Sequence, residues 1–327
     1  MGRQRLEKTA CLTALQRCCR IAFSGHYSFD ERFMSIRPVH VICLLLIFSP
    51  LAVLWYVTSV KSEATVINFW NGNKTPGRQA YERDVLDAVL LATRKGYGNV
   101  PVVEDRRDLP VASDETAIFR KGGADIFGTV AGNPKLANED KLLIPFPMMK
   151  GLLGYRLLII RAEDQEKYAA IQGIEGLRAL TNGVPDGWAE VDLFRANGIP
   201  VEADLRFDNL FQKLGDRQFD YTTFGGNEIE QVFSEHVASR PDLALEQTLL
   251  LYYPFPLVFY VTPSDPILAQ RIRQGMAIIS RNGVLDGIFE QHFGETVRRL
   301  NLAERRKLVL DNPLLPKELK SFQPDLP

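Results

Sequence analysis

Apolar positions follow two regimes along this chain. From Val39 to Val60 they run almost unbroken, as VHVICLLLIFSPLAVLWYVTSV, with no Asp, Glu, Lys or Arg. Beyond Ala64 they alternate between strand-like runs and helical spacing. A β-branched stretch over 65–70 predicts a strand that ends in the polar turn Asn71-Gly72-Asn73. Tyr81, Val85 and Val89 stand four apart beside Leu86 and Leu90, which predicts a helix over 77–95 stopped by Gly96. A short helix ends over 117–121, and 124–127 reads as the next strand. The run 152–161 is apolar with almost no alternation, the pattern of a strand buried on both faces.

The second half continues the alternation. A strand around 180–184 enters Pro185-Asp186-Gly187-Trp188 and then a helix over 189–197 closed by Gly198. Short extended pieces at 199–201 and 205–207 precede a helix capped by Asp208 and running to Leu214, then a strand over 219–223. A second long apolar run covers 249–262, interrupted by Pro254 and Pro256. The stretch 266–281 is an amphipathic helix stopped by Asn282-Gly283. A shorter helix carries Ile288, Phe289 and Phe293 and ends at Gly294. Strands alternating with helices predict an α/β fold with parallel-sheet character. The two long apolar runs bracket the middle of the chain, as they would if the chain left one lobe, built a second and returned. The expected organisation is a leader 1–38, a span 39–60, a linker 61–64, a first lobe from 65–153 and 257–327, and a second lobe 154–256.

The unbroken segment 39–60 is long enough to cross a bilayer, with Trp55 and Tyr56 near its end at headgroup depth. Arg3, Arg5, Lys8, Arg17, Arg20, Arg32 and Arg37 precede it against Glu7, Asp30 and Glu31, so the positive-inside rule exports everything after Val60. Two readings stand: a retained anchor, or a signal sequence cleaved after the small-x-small site Ser62-Glu63-Ala64. Met34 also fits as the translation start. A buried core helix is the bland alternative. Both export readings place the body outside the cytoplasmic membrane.

Composition sharpens this. The chain has 327 residues, 46% apolar and 24% charged, an ordinary globular balance. A net charge of -1 gives no electrostatic argument for a nucleic-acid partner. The four cysteines, Cys11, Cys18, Cys19 and Cys43, all precede the body, which excludes a disulfide scaffold, a thiolate zinc site or a catalytic cysteine there. No P-loop, GxGxxG, GxSxG, HExxH or calcium-loop pattern occurs, so no cofactor is expected. His236 and His292 have no acidic or cysteine cluster at metal spacing and read as incidental. Arg298, Arg299, Arg305, Arg306 and Lys307 read as a solvated helix face, with a partner contact as the alternative.

The order of pieces resembles the type II periplasmic binding fold, in particular the extracytoplasmic solute-binding proteins of family 3, as a divergent subgroup. The resemblance rests on Gly122-Gly-Ala-Asp-Ile-Phe127, Leu143-Ile-Pro-Phe-Pro147, Lys150-Gly-Leu-Leu-Gly-Tyr155, Leu210-Phe-Gln-Lys-Leu-Gly-Asp-Arg-Gln-Phe-Asp220, Tyr253-Pro-Phe-Pro-Leu-Val-Phe-Tyr-Val261, and the closing Leu302-Ala-Glu-Arg-Arg306 and Asp311-Asn-Pro-Leu-Leu-Pro316. It implies two lobes, a small polar solute between them, and a membrane permease or sensor as partner. It also implies site residues. Trp70 matches an aromatic that covers the ligand. Thr129 falls where a hydroxyl or backbone amide meets a carboxylate, and Lys135 where many members place an Arg for it. Asp186, with Gly187 and Trp188, precedes a helix whose amides face an anion. Glu228 stands near the place of an acid that holds an amine.

Two departures weigh against an ordinary α-amino acid. Lys135 cannot make the two-pronged bond that Arg makes with a carboxylate. The acid expected shortly after Asp220 is replaced by Gly225. Each candidate also has a bland reading: Trp70 and Trp188 as core, Lys135 as a surface lysine, Glu228 as a helix-start acid. A sensor or interaction module of the same fold that has lost amino-acid capture is the alternative function. An enzyme is a third class, for which no acid/base pair stands out.

Overall fold

Two separate sheets carry the body in the computed structural model, which describes residues 66–120 and 123–326. The leader, the span 39–60, the linker 61–64 and all four cysteines lie outside the described residues. The first sheet has the order β2-β1-β3-β11-β4, built from β1 (Ile67–Trp70), β2 (Val102–Asp105), β3 (Ile126–Val130), β4 (Leu142–Ile144) and β11 (Leu257–Val261). β1 runs parallel to both β2 and β3, whereas β11 is antiparallel to β3 and β4.

Helix α1 (Pro76–Tyr97) follows β1 and starts cleanly. Thr75 caps it by accepting from the Arg78 N–H at 3.4 Å, and Pro76 occupies the first turn, where its missing N–H costs nothing. Its Tyr81, Val85, Leu86 and Val89 are fully buried, so the four-residue spacing marks the core face. Much later in the chain, α7 (Pro266–Arg281) and α8 (Val284–Leu300) pack in the same lobe, and α7 approaches α1 so closely that a Cβ at Gly275 would lie 2.5 Å from Val89. The expected stop at Gly294 does not occur. α8 continues to Leu300, itself buried, because packing of Phe289, Phe293 and Leu300 outweighs the low helix propensity of one glycine.

The second sheet has the order β12-β10-β5-β8-β6-β7, with β9 also on β5. It comprises β5 (Tyr155–Arg161), β6 (Asn182–Gly183), β7 (Val201–Glu202), β8 (Tyr221–Gly225), β9 (Leu243–Leu245), β10 (Leu249–Tyr252) and β12 (Arg306–Val309). Its helices are α2 (Gln165–Ala169), α3 (Ile174–Arg178), α4 (Glu190–Ala196), α5 (Leu210–Gly215) and α6 (Ile229–Val232). Every residue of β5 is buried, as its unalternating sequence predicts. The second long apolar run divides at its prolines: β10 pairs with β5 in this sheet, and β11 lies in the other. Pro254 and Pro256, lacking N–H donors, occupy the passage between them. The fold is thus α/β, with two lobes, each a sheet flanked by helices.

Residues 257–327 serve both lobes. After α8 the chain enters β12, parallel to β10 in the second sheet, and then returns to bury Leu319 with Trp70 and Phe127 in the first lobe. The Asn312 side-chain amide donates to Pro254 O at 2.8 Å, which fastens this return to the passage between β10 and β11. The basic residues near this end do not share a helix face. On α8, Arg298 pairs with Glu290 of the same helix and Arg299 with Glu230 of α6; Arg305 donates to Glu246 O and Leu249 O, and Arg306 donates to Ala169 O and Ile171 O. Among the described residues no helix is long and apolar enough to cross a membrane.

A buried ion cluster sits inside the first lobe. Glu82, with no exposed surface, accepts from Lys74 at 2.6 Å and from Arg78 at 2.7 Å. Its carboxylate lies against β3, where a Cβ at Gly128 would stand 2.0 Å from it. Burial pushes the Glu82 carboxyl up, but the charges of Lys74 and Arg78 outweigh it and hold the group below its ordinary value. A folded carboxyl held down contributes stability that is complete above the unfolded value, about 4.3, and is lost as pH falls through the folded value. Urea denaturation across a pH series should therefore show wild-type stability falling below about pH 4.3. A Glu82→Gln chain should be about 3 kcal/mol less stable at neutral pH, with a shallower acid limb.

Candidate functional site

The cleft end of the second sheet is organised by one buried cation. Arg156, at the start of β5 and 1% exposed, lies opposite Gly225 at the end of the antiparallel β8. Its Nη2 meets Glu190 of α4 at 2.9 Å and donates to Thr223 O at 3.0 Å. Its Nη1 donates to Leu153 O at 3.2 Å and stands 3.7 Å from Glu228. The Tyr253 ring lies 6.0 Å away, within cation–π range. Burial works against the Arg156 charge, yet its pKa is held up, with the Glu190 and Glu228 carboxylates facing it. Burial pushes the Tyr253 phenol well up, so it remains neutral at working pH.

This arrangement places Glu228. It stands just before α6, accepts from Gly225 N at 3.1 Å and faces Arg156, so its charge is answered inside the chain. The place of a side chain at 225 is taken by Asn227, whose Oδ1 lies 2.4 Å from where a Cβ at Gly225 would be.

In the first lobe, Trp70 ends β1 and is 5% exposed. Its Nε1 donates to Arg107 O at 3.1 Å, and its ring packs 5.7 Å from Phe127. Thr129 on β3 accepts from the Asn133 amide at 3.0 Å. Lys135 sits in the 3-10 turn Pro134–Leu136, where Asn133 caps it by accepting from the Lys135 N–H at 3.1 Å. The Lys135 ammonium meets Glu115 at 2.8 Å.

A cleft of about 510 Å³ lies between the lobes. Pro134 and Lys135 line it from the first lobe. Asp186, Gly187, Trp188, Val191, Asp192, Arg195, Ala203 and Asp204 line it from the second. The 184–188 loop is held in place by backbone bonds, Val184 N to Glu202 O and Asp186 N to Leu205 O, both 2.9 Å. Gly187 turns it with a φ of 74°, where a side chain would be strained. Trp188 is half-buried, stacked 6.3 Å from Phe207 and edge-on to Phe224. Asp186 is exposed, and neither it, Asp192 nor Asp204 forms an ion pair among the described residues.

The structure therefore brings Lys135, Asp186 and Trp188 together around one cleft. It sets Trp70 in a small apolar cluster, Thr129 beneath Asn133, and Glu228 against Arg156. Sequence reasoning passed over Arg156, Glu190, Glu115, Asn73, Asn133 and the outer α4 residues. Only Arg156 carried a local signal: a charge inside an apolar strand must be answered by partners. His292 pairs with Asp84 at 2.7 Å and His236 stacks on Phe211, and among the described residues no group of His, Cys, Asp and Glu could hold a metal.

Removing the central cation tests its role. Arg156→Met should leave Glu190 and Glu228 facing each other without a counter-charge and destabilise the protein by about 3–5 kcal/mol in denaturant titration. Arg156→Lys should recover part of the loss, since one ammonium cannot reach all four acceptors.

No family model matches the chain, and no curated protein matches it. Solved structures do share its fold. The ligand-binding core of GluR0 in complex with L-glutamate matches with a TM-score of 0.50 and 16% identity, over 70% of this chain and 99% of that one. A periplasmic His/Glu/Gln/Arg/opine family-binding protein from Silicibacter pomeroyi in complex with lysine matches at 0.50 and 11%, over 70% and 97%. An arginine 3rd transport system periplasmic binding protein from Legionella pneumophila matches at 0.50 and 10%, over 69% and 99%. The chain has the two-lobed fold of periplasmic binding proteins.

Proposed function

We propose that this chain is an extracytoplasmic solute-binding protein of the family 3 type. It captures a small polar solute between its lobes and presents the closed form to an ABC-type transporter. The observation that carries this reading is the composition of the cleft: Lys135 comes from one lobe, and Asp186 and Trp188 from the other. Closing the lobes would bring the Lys135–Glu115 pair, a carboxylate and an aromatic face around one molecule, and a solute that meets both walls stabilises the closed state by its differential contacts. The solved proteins of this fold are described as holding glutamate and lysine, which supports a solute of that size. The export reading of 39–60 places the protein on the periplasmic side, anchored or released. Its partners are then the solute and a membrane permease.

One observation favours the second reading, a membrane-tethered sensor or interaction module that no longer captures amino acids. Lys135 and Glu228 both spend their charge on partners within the chain, Glu115 and Arg156.

Thermal-shift screening of the full chain against amino acids, small carboxylates and polyamines separates the two. A ligand at a hundred times its Kd adds about 2.7 kcal/mol and raises Tm by several degrees. Asp186→Asn, at an exposed unpaired position, should leave the unliganded Tm unchanged and weaken a cationic solute about two- to fivefold, in line with one solvent-exposed charge pair. Absence of any stabilising solute across the three classes would leave the sensor reading in its place.

A further inference from the structure

Lys135, which lines the cleft from the first lobe, belongs to a carboxylate-binding arrangement behind that wall that is already filled. Three donors from two parts of the chain converge on one group: Asn73 Nδ2 at 3.0 Å after β1, and, from one turn after β3, Asn133 Nδ2 at 3.4 Å and Lys135 Nζ at 2.8 Å. The group they hold is Glu115, in the 3-10 turn Ala112–Ala117. Its side chain is 9% exposed and that of Lys135 is 14% exposed. Asn133 is itself oriented, since its amide also donates to Thr129 and its oxygen accepts from the Lys135 N–H. An ammonium with two amides is a donor set that would hold any carboxylate.

We infer that Glu115 is a built-in carboxylate that occupies this place and excludes carboxylate-bearing solutes from it, so that the cleft selects amines lacking a carboxylate. The choice of solute class rests on the solute-capture reading above. The charges that remain on the lining support it. With Lys135 neutralised by Glu115, the second lobe offers Asp186, Asp192 and Asp204 against Arg195, an excess of negative charge, together with the Trp188 ring. An organic cation meets both features, a carboxylate neither.

Lysine and cadaverine differ only in the carboxylate and make the matched probe. By calorimetric titration of the full chain, cadaverine should bind at least about tenfold tighter than lysine, the weight of one charge-assisted contact. In Glu115→Ala, which vacates the place, lysine should gain at least about tenfold while cadaverine stays within about threefold. A folded Glu115→Ala chain that gains nothing for lysine overturns the inference, as does a wild type that prefers lysine. Acetate gives a second readout on Glu115→Ala, with Glu115→Ser in its place should Ala at 115 fail to fold. It should raise the Tm of that chain saturably, with no such effect in the wild type or in Glu115→Ala combined with Lys135→Met. No acetate effect on Glu115→Ala overturns the occupancy. A wild type that binds neither compound overturns the assigned solute class, solute capture itself being read by the three-class screen above, whereas the acetate titration reads the filled carboxylate place by itself.

Discussion

A charge removed from water must be answered by partners fixed in the same fold, and this requirement organises both lobes. Arg156 is the clearest case. It lies on the strand that enters the second lobe, and its partners come from the start of α4, the end of β8, the residue before α6 and the turn before β5. Those elements form the end of the sheet that faces the cleft. Their relative positions are therefore tied to one guanidinium whose fork matches several acceptors at once. Glu82 performs the corresponding task in the first lobe, where it joins the loop after β1 to α1 and leaves room on β3 only for Gly128.

The connections between the lobes follow from the same C-terminal segment that closes both sheets. The chain passes from β4 to β5, from β10 back to β11, from α8 to β12, and from β12 to Leu319 in the first-lobe cluster. Rotation of one lobe against the other must bend all of these passages, not only the two apolar strands that the sequence marks. The last passage is held at the centre by Asn312 on Pro254 O. It is also held at Gly132, whose φ of 78° and closeness to Leu314 O leave no space for a side chain. Any closing movement is thus coupled to the seating of the tail, and the tail's Leu319 packs in the cluster that contains Trp70.

Much of the architecture was legible because burial writes itself into spacing. The α1 and α7 helices, the wholly buried β5 and the division of 249–262 at its prolines all follow from periodicity and turn chemistry. β2, β4 and β12 were not legible. Each is a strand of four residues or fewer with partly exposed positions, so neither alternation nor an apolar run distinguishes it from loop. Propensity also misplaced the end of α8, where tertiary packing carries the helix through Gly294. Of the site, the loop Asp186-Gly187-Trp188 could be read from its turn and its position before a helix. Glu115 could not, because its partners Asn73, Asn133 and Lys135 lie far away in sequence and only the fold brings them together.

The near-zero net charge takes on a different meaning once the pairs are assigned. Read as a sum, it says only that no strong field surrounds the protein. Read residue by residue, it shows that the buried charges Glu82, Arg156 and Glu115 each meet an opposite charge inside the chain, while Asp186, Asp192 and Asp204 remain on the cleft with no ion pair among the described residues. Neutrality overall therefore coexists with a locally acidic wall. In a cleft with a low-dielectric flank such as Trp188, unpaired carboxylates act more strongly than on an open surface. On the proposed reading, the selectivity of the cleft is set by which charges the fold has left unanswered.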